Sequence, residues 1–432
     1  MRSSSLLLPL ALAIAAPLGA QQSDPYMARA VAVLRSATLV DGHNDLAWAI
    51  RDARAPRDVA AYDLRDSTPG MTDLARLKRG MLGAQFWSVY IPGERDAPAY
   101  APQGTSASAP GYARVQLEQI DIAKQVIAAY PKSLMAAYDV ADVRRARKEG
   151  KIASLLGMEG GHAIENSLGA LRAFYDLGVR YMTLTHNVTL DWADAALDSA
   201  KHGGLTPFGE EVVREMNRLG MLVDLAHVSP GTMSDALNVS EAPVIFSHSG
   251  ARALVDHPRN VPDSILARLP KNGGVVMVPF VPSFVSAAVD RYDTEWDSVR
   301  TALRTRYPSP ADTAKVRSEL DAWTASHPAP HATIQDVADH IDHIRKVAGV
   351  DHVGIGSDFD GIDQTVTGLE DVSKFPALFA ELARRGWSDA DLRKLAGENV
   401  LRVMHQAEEV SARLKKERKP STKTIQEMDV KM

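Results

Sequence analysis

The chain contains no cysteine among its 432 residues. That excludes a disulfide-stapled extracellular design, so the fold must be held together by a core. It also excludes thiolate metal sites and cysteine nucleophiles, leaving His, Asp and Glu as the side chains able to hold a metal. Positive charge is in short supply: 49 Lys and Arg stand against 54 Asp and Glu, a formal net charge of −5. No basic stripe runs along the chain, which speaks against a nucleic-acid partner. Long apolar runs are missing after the first few residues, and no glycine-rich nucleotide loop follows the first candidate strand. The C-terminus is charged from Lys415 to Lys419, so no tail anchor is visible.

What is present begins with a leader. MRSSS carries one arginine, LLLPLALAIAAP is apolar, and PLGA ends on small residues before Gln21, the pattern of a secretory signal peptide. The run is too short for a spanning helix, which needs about 20 residues, and no cysteine follows it to take a lipid. Residues 1–22 are thus expected to direct export, periplasmic or secreted, and to leave no stable membrane span after processing. A single catalytic domain is expected over residues 23–407 and a charged, frayed tail over 408–432. A length in this range suits one α/β barrel with insertions.

Eight short apolar runs read as buried strands: ATLVD (37–41), AQFWSVY (84–90), IASLLGME (152–159), VRYMTLT (core 180–185), MLVDLA (221–226), PVIFSH (243–248), GVVMVPF (274–280) and HVGIGSD (352–358). Between them lie amphipathic segments, among them a long run from Val115 to Lys148, and several end at a helix-stop glycine (Gly150, Gly178, Gly220, Gly349). Strand alternating with helix eight times predicts an α/β fold, a (β/α)8 TIM-type barrel, over its competitor, a doubly wound open sheet. Two segments break the rhythm. Residues 93–111 are rich in Pro, Ala, Ser and Gly, and about 285–330 form a polar helical insertion between strands seven and eight, read as a solvated lid or an interface.

In such a barrel the C-terminal ends of the strands converge on one site. Strand one ends in Asp41-Gly42-His43-Asn44-Asp45, strand three in Glu159, four in His186, five in His227, six in His248 and eight in Asp358. Imidazole and carboxylate are zinc's ligands where thiolate is absent. His43 and Asp45, two apart on an extended segment, can chelate one ion. His227 and His248 can hold a second, and Glu159, between the two groups in strand order, is the natural bridge. Two such ions, about 3.5–4 Å apart, would share a hydroxide formed near neutral pH.

At these residues the chain resembles a known family. DGHNDLAW, GMEGGHAI, LTHNVTLDWAD, VDLAHVS, VIFSHSGAR, RNVP and GIGSDFDG, in that order from about residue 38 to 400, are similar to the successive signatures of the membrane (renal) dipeptidase family. Each alone is weak, but the ordered set is specific. The resemblance implies an amidohydrolase-like barrel with two Zn²⁺ ions per chain, bridged by Glu159, that hydrolyses dipeptides (L,L and L,D). It implies His43, Asp45 and Glu159 as ligands of one zinc, and Glu159, His227 and His248 as those of the other. By the same resemblance His186 contacts substrate and steadies the tetrahedral intermediate, Arg259 binds the substrate carboxylate, and Asp358 is the catalytic acid/base. The family's habit adds a homodimer, here without an interchain disulfide.

The match has departures. PFVPSFVS carries no tyrosine where the mammalian relatives use tyrosines in the pocket, so Phe284 takes part of that surface without a hydroxyl. The 285–330 insertion is also absent from the mammalian enzymes, so substrate preference is not carried over. Other features are set aside. His340 and His343 read as a packed or solvated helix face, Asp224 as support for its neighbours, and His162 as loop structure. Asp360 is a rival to Asp358, and Trp48, Trp87 and Trp192 line the pocket or pack. Two alternatives stay open: another binuclear amidohydrolase acting on a lactam, lactone or N-acyl amino acid, and an inactive peptide-binding barrel. Arg259 separates the first, because a neutral ester gives it no partner. The complete ligand set argues against the second.

Overall fold

The computed structural model of the chain describes residues 24–94 and 111–429. The leader read in residues 1–22 and most of the segment 93–111 lie outside the described residues. Each of the eight apolar runs becomes a strand, and a ninth appears: β1 (Leu39–Asn44), β2 (Leu82–Ser88), β3 (Leu134–Ala136), β4 (Ile152–Glu159), β5 (Val179–Thr183), β6 (Leu222–Asp224), β7 (Ile245–Phe246), β8 (Val275–Val278) and β9 (Val353–Ile355). Hydrogen bonding runs β2-β1-β9-β8-β7-β6-β5-β4, and β2 pairs β4 directly, so eight parallel strands close into a ring. β3 stands outside that ring. It takes the start of one edge of β4, with Leu134 opposite Ile152, and β5 takes that edge from Leu156 onward. The architecture is the expected (β/α)8 barrel.

The strands are apolar on both faces because both are covered. Val40, Phe86, Leu155, Tyr181, Ile245 and Met277 belong to one buried cluster. Their neighbours Leu39, Trp87, Leu156, Met182, Phe246 and Val276 belong to another, shared with the helices. Glu159 continues the alternation of Ala153, Leu155 and Gly157, so the last residue of β4 turns its carboxylate to the side that Leu155 faces. The surrounding helices stop where glycine allows. Gly220, at φ 88°, closes the helix Pro207–Leu219 by donating to Met216 and Asn217, a left-handed cap that costs other residues strain.

Two expectations are corrected. The run from Val115 to Lys148 is not one amphipathic segment. A helix Tyr112–Ala129 ends just before Pro131, β3 follows, and Asp139 caps a second helix, Val140–Lys148, by accepting from Asp142 N–H at 2.7 Å. Proline disfavours helical backbone in the residue before it, so the break is local chemistry. The tail from Glu408 is not frayed through its described length. The helix Asn399–Glu417 runs through it, with Val403, Ala407, Ser411 and Leu414 buried at helical spacing, and Ser411 donates to the Arg218 carbonyl at 2.8 Å. Burying one leucine contributes about 1.5–3 kcal/mol, enough to dock a turn whose other residues are charged. Beyond it Asp429 accepts from Thr206 Oγ1 and Phe208 N–H, capping the helix Pro207–Leu219.

Between β8 and β9 the helices Ala287–Arg306 and Thr313–Ser326 bury little, only Val289 and Leu303 in the first and nothing in the second. They pack on each other, with the Tyr292 and Trp323 rings 5.5 Å apart. Among the described residues no helix is long and apolar enough to cross a membrane.

Candidate metal centre

Every site residue expected from a strand end lies at the same end of the barrel, in one pocket or directly beneath it. His43 lies in β1 and Glu159 ends β4, while His186, His227 and Asp358 follow the ends of β5, β6 and β9 by three residues and His248 follows β7 by two. Asp45 occupies the N-cap position of the helix Leu46–Arg51 but makes no side-chain cap bond. Its Oδ2 lies 3.2 Å from His43 Nε2 instead. Two triads result, His43 with Asp45 and Glu159, and Glu159 with His227 and His248. In each, one potential ligand atom per residue lies within 4.8 Å of the others. His43, His248 and Asp358 satisfy the same criterion, so Asp358 stands within ligand range. Glu159 faces both triads. Its Oε2 is 3.3 Å from His43 Nε2, and its Oε1 is 2.8 Å from His227 Nε2 and 3.4 Å from His248 Nε2.

The hydrogen bonds behind the imidazoles test whether these residues suit a metal. Tyr181 Oη lies 2.8 Å from His43 Nδ1 and donates its own hydrogen toward the Gly42 carbonyl, so it accepts from His43. Asn187 Oδ1 accepts from His227 Nδ1 at 3.0 Å. Ser247 Oγ is 2.8 Å from His248 Nδ1 and gives its hydrogen to Asp224, so it too accepts. All three rings therefore carry hydrogen on Nδ1 and aim an Nε2 lone pair inward. Inside, His227 Nε2 and His248 Nε2 are 2.9 Å apart, while His43 Nε2 and Asp45 Oδ1 are buried with no hydrogen-bond partner among the described residues. Acceptors facing acceptors call for a cation, and nitrogen and oxygen donors without sulfur suit a divalent one. Burial pushes His227 and His248 well below the usual imidazole range, which Arg259 reinforces at both.

The support under His43 is tightly packed. Tyr181 lies over Gly157, where an added Cβ would come within 2.0 Å of the ring. Gly157→Ala should therefore push Tyr181 off His43, cost about 1–3 kcal/mol as overpacking, and lower metal retention. Thermal melting with and without added metal checks this: loss of stability with metal retention unchanged would separate Tyr181 from the centre.

Over the triads opens a pocket of about 340 Å³, lined among others by Trp48, Tyr90, His186, Arg259, Phe284 and Asp358. That is near the small end of ligand pockets, which run roughly 300–1,000 Å³. Arg259 is only 4% exposed, lies 5.0 Å over the Phe284 ring, and donates to the His248 carbonyl at 3.3 Å. Among the described residues its Nε has no partner, and burial brings the guanidinium down to about 10. His186 sits 3.9 Å from Glu159 Oε1 and against Tyr90 and His227; burial lowers its proton affinity. Asp358, at φ 67°, is 14% exposed toward the pocket and 3.9 Å from His43. Burial, with Asp45 and Glu159 adding to it, raises its carboxyl well above the usual range. A non-glycine residue at positive φ stores strain of about 1–3 kcal/mol and tends to mark function. Asp360 shares that conformation but turns away, accepting from Met71 N–H at 2.6 Å.

A profile of the membrane dipeptidase family (peptidase family M19) matches residues 27–418. The chain belongs to that family. Solved structures agree. The probable dipeptidase PvdM from Pseudomonas aeruginosa is 26% identical with a TM-score of 0.74, covering 89% of this chain and 99% of its own. A metallo peptidase from Rhodobacter sphaeroides, liganded with a phosphinate mimic of the dipeptide L-Ala-D-Ala, is 26% identical with a TM-score of 0.68, covering 86% and 99%. Dipeptidase AC, a metallo peptidase, is likewise 26% identical, with a TM-score of 0.67 over 86% and 98%.

In this metallo-dipeptidase the pocket holds residues that sequence reasoning passed over: Tyr90, Asn187, Leu197, Val281 and Ile362. Tyr90 and Asn187 had a signal, one just past β2 and the other beside His186, whereas Leu197 and Ile362 come from irregular loops that carry no period. Of the tryptophans, Trp48 lines the pocket, while Trp87 and Trp192 are buried. His340 is packed away, its Nδ1 accepting from Ala251 N–H at 2.9 Å, and His343 pairs with Asp263.

Proposed function

We propose that the chain hydrolyses dipeptides, L,L and L,D, with two zinc ions held by His43, Asp45, Glu159, His227 and His248. When bound, the ions supply an activated water as nucleophile and polarise the scissile carbonyl. The other roles fall to the protein's own side chains. Arg259 takes the substrate's C-terminal carboxylate in a forked, charge-assisted pair. His186, beside Glu159, donates toward the oxygen where negative charge develops. Asp358 accepts a proton and returns it to the leaving amine, a duty suited to a carboxyl whose proton affinity is raised. The ligand named for the Rhodobacter sphaeroides relative, a mimic of L-Ala-D-Ala, supports tolerance of a D-residue at the second position. Residues 1–22 support export.

One juxtaposition carries the dipeptide reading. Arg259 is buried in the pocket wall, its side-chain hydrogen bond among the described residues goes to a carbonyl, and Phe284 backs it. A fixed cation in the same pocket as the triads supports a substrate held by its free carboxylate, with the bond one residue away beside those residues. Dipeptides should therefore be cut far faster than their C-terminal amides. Arg259→Met should remove a charged hydrogen bond of about 1.5–3 kcal/mol, raising KM for a dipeptide roughly 10- to 100-fold and narrowing its advantage over the amide. Equal rates on a dipeptide and its amide in the unmutated enzyme would return the lactam and lactone reading.

A further inference from the structure

Asp224 ends β6, is fully buried, and lies below the ligand layer rather than in it. Its four hydrogen bonds come from fixed directions. Oδ1 accepts the backbone N–H of Ser247 at 2.8 Å and of Ala226 at 3.1 Å. Oδ2 accepts the hydroxyls of Ser247 at 2.6 Å and Thr183 at 2.5 Å. A carboxylate can only accept, so the Ser247 hydroxyl has one place to send its hydrogen, and its oxygen is left to receive from His248 Nδ1 at 2.8 Å. The neighbouring rings have neutral partners, Tyr181 and Asn187. Among these three imidazoles, His248 has a carboxylate two bonds behind it.

We infer that Asp224 and Ser247 form a relay that fixes the hydrogen of His248 on Nδ1 and so holds its Nε2 lone pair ready for a metal; this rests on His248 being a ligand, as proposed above. The relay resembles the carboxylate–histidine pairs that orient metal-bound imidazoles, with a hydroxyl inserted between them. Asp224 and Ser247 are positioning residues, since neither reaches the pocket.

The two oxygens of Asp224 make an amide replacement informative. Two backbone N–H groups require an acceptor at Oδ1, so in Asp224→Asn the amide NH2 must face the Ser247 hydroxyl. The hydroxyl oxygen then receives from the amide, and its hydrogen is free to turn to His248 Nδ1. The histidine is driven toward hydrogen on Nε2, the position a metal needs bare. A mutation that removed packing alone would not move that proton.

The structure contains a matched control. Asp41 grips Ser357 in the same way, accepting its N–H and its hydroxyl, both at 2.7 Å. Ser357 has no imidazole behind it; its hydroxyl lies near the His43 carbonyl and the Phe359 N–H. Ser357→Ala therefore loosens an equivalent clamp beside the site without touching a histidine tautomer.

The test titrates Zn²⁺ against a competing chelator for the unmutated protein, Asp224→Asn, Ser247→Ala, Ser247→Thr and Ser357→Ala. Metal-free samples carrying ¹⁵N-labelled histidine report which ring nitrogen is protonated. Asp224→Asn should weaken the second-bound zinc or the first by about 10- to 100-fold and shift the His248 signals toward protonated Nε2. Ser247→Ala should weaken binding about 10-fold, while Ser247→Thr, which keeps the hydroxyl, stays near the unmutated value. Unchanged affinity and tautomer in Asp224→Asn would overturn the relay, as would an equal loss in Ser357→Ala. If Asp224→Asn fails to fold, the Ala and Thr variants at 247 decide, and equal affinities there overturn it. An unmutated protein that took up no zinc would sink the metal assignment, and the nitrogen signals of the metal-free protein would still judge the tautomer.

Discussion

Glu159→Ala should empty both halves of the centre together. One oxygen of Glu159 approaches His43 and the other approaches His227 and His248, so a single truncation takes a negative donor from each triad. Removing it also leaves imidazoles facing one another across a gap, which costs further because buried unpaired groups keep their full desolvation penalty. Metal content should fall from about two equivalents per chain to near zero, and activity with it. Glu159→Gln sharpens the expectation. An amide keeps one oxygen and turns an NH2 group toward the other triad, so it should hold about one ion and not two. Elemental analysis after dialysis, with turnover of an L,L dipeptide, checks both variants. An alanine variant that kept two tightly held ions and normal rates would end the bridging assignment.

Asp358→Asn should separate chemistry from metal binding. The amide keeps the shape and loses the basic oxygen, so kcat should fall by about 10²–10⁴, the usual contribution of a general acid/base, with metal content held. Burial and the neighbouring carboxylates raise the proton affinity of Asp358. Its exposure to the pocket is what such a group needs. Yet it also lies within ligand range of His43 and His248. Loss of metal in Asp358→Asn would make it a ligand and move the proton duty elsewhere. Asp360→Asn is the companion control: that carboxylate accepts from Met71 outside the pocket, so its loss should register in stability more than in rate.

The legible part of this protein lay in two coincidences of pattern. A parallel strand covered on both faces must be apolar throughout, so IASLLGME or GVVMVPF stands out from its helical surroundings without any tertiary knowledge. Closing such strands into a barrel brings their C-terminal ends together, so His43, Glu159, His186, His227, His248 and Asp358 could be read as one site from position alone. Where local chemistry competed with period, the reading failed. Three residues of β3 are too few to show alternation between two helices, and the tail helix keeps one small or apolar residue per turn among many charges.

The sequence by itself determined the fold class, the strand ends, the donor types and, by excluding cysteine, the absence of thiolate. These follow from composition and periodicity, which act over a few residues. Tertiary structure alone decided which oxygen of Glu159 faces which triad, that Asp358 opens to the pocket while Asp360 turns to Met71, and that Trp48 lines the site while Trp87 and Trp192 fill the core. It alone brought Asp224 to within 2.6 Å of the Ser247 hydroxyl, 23 residues away along the chain, behind His248. Hydrogen-bond polarity and side-chain orientation depend on partners brought in by other strands, and no local period encodes them.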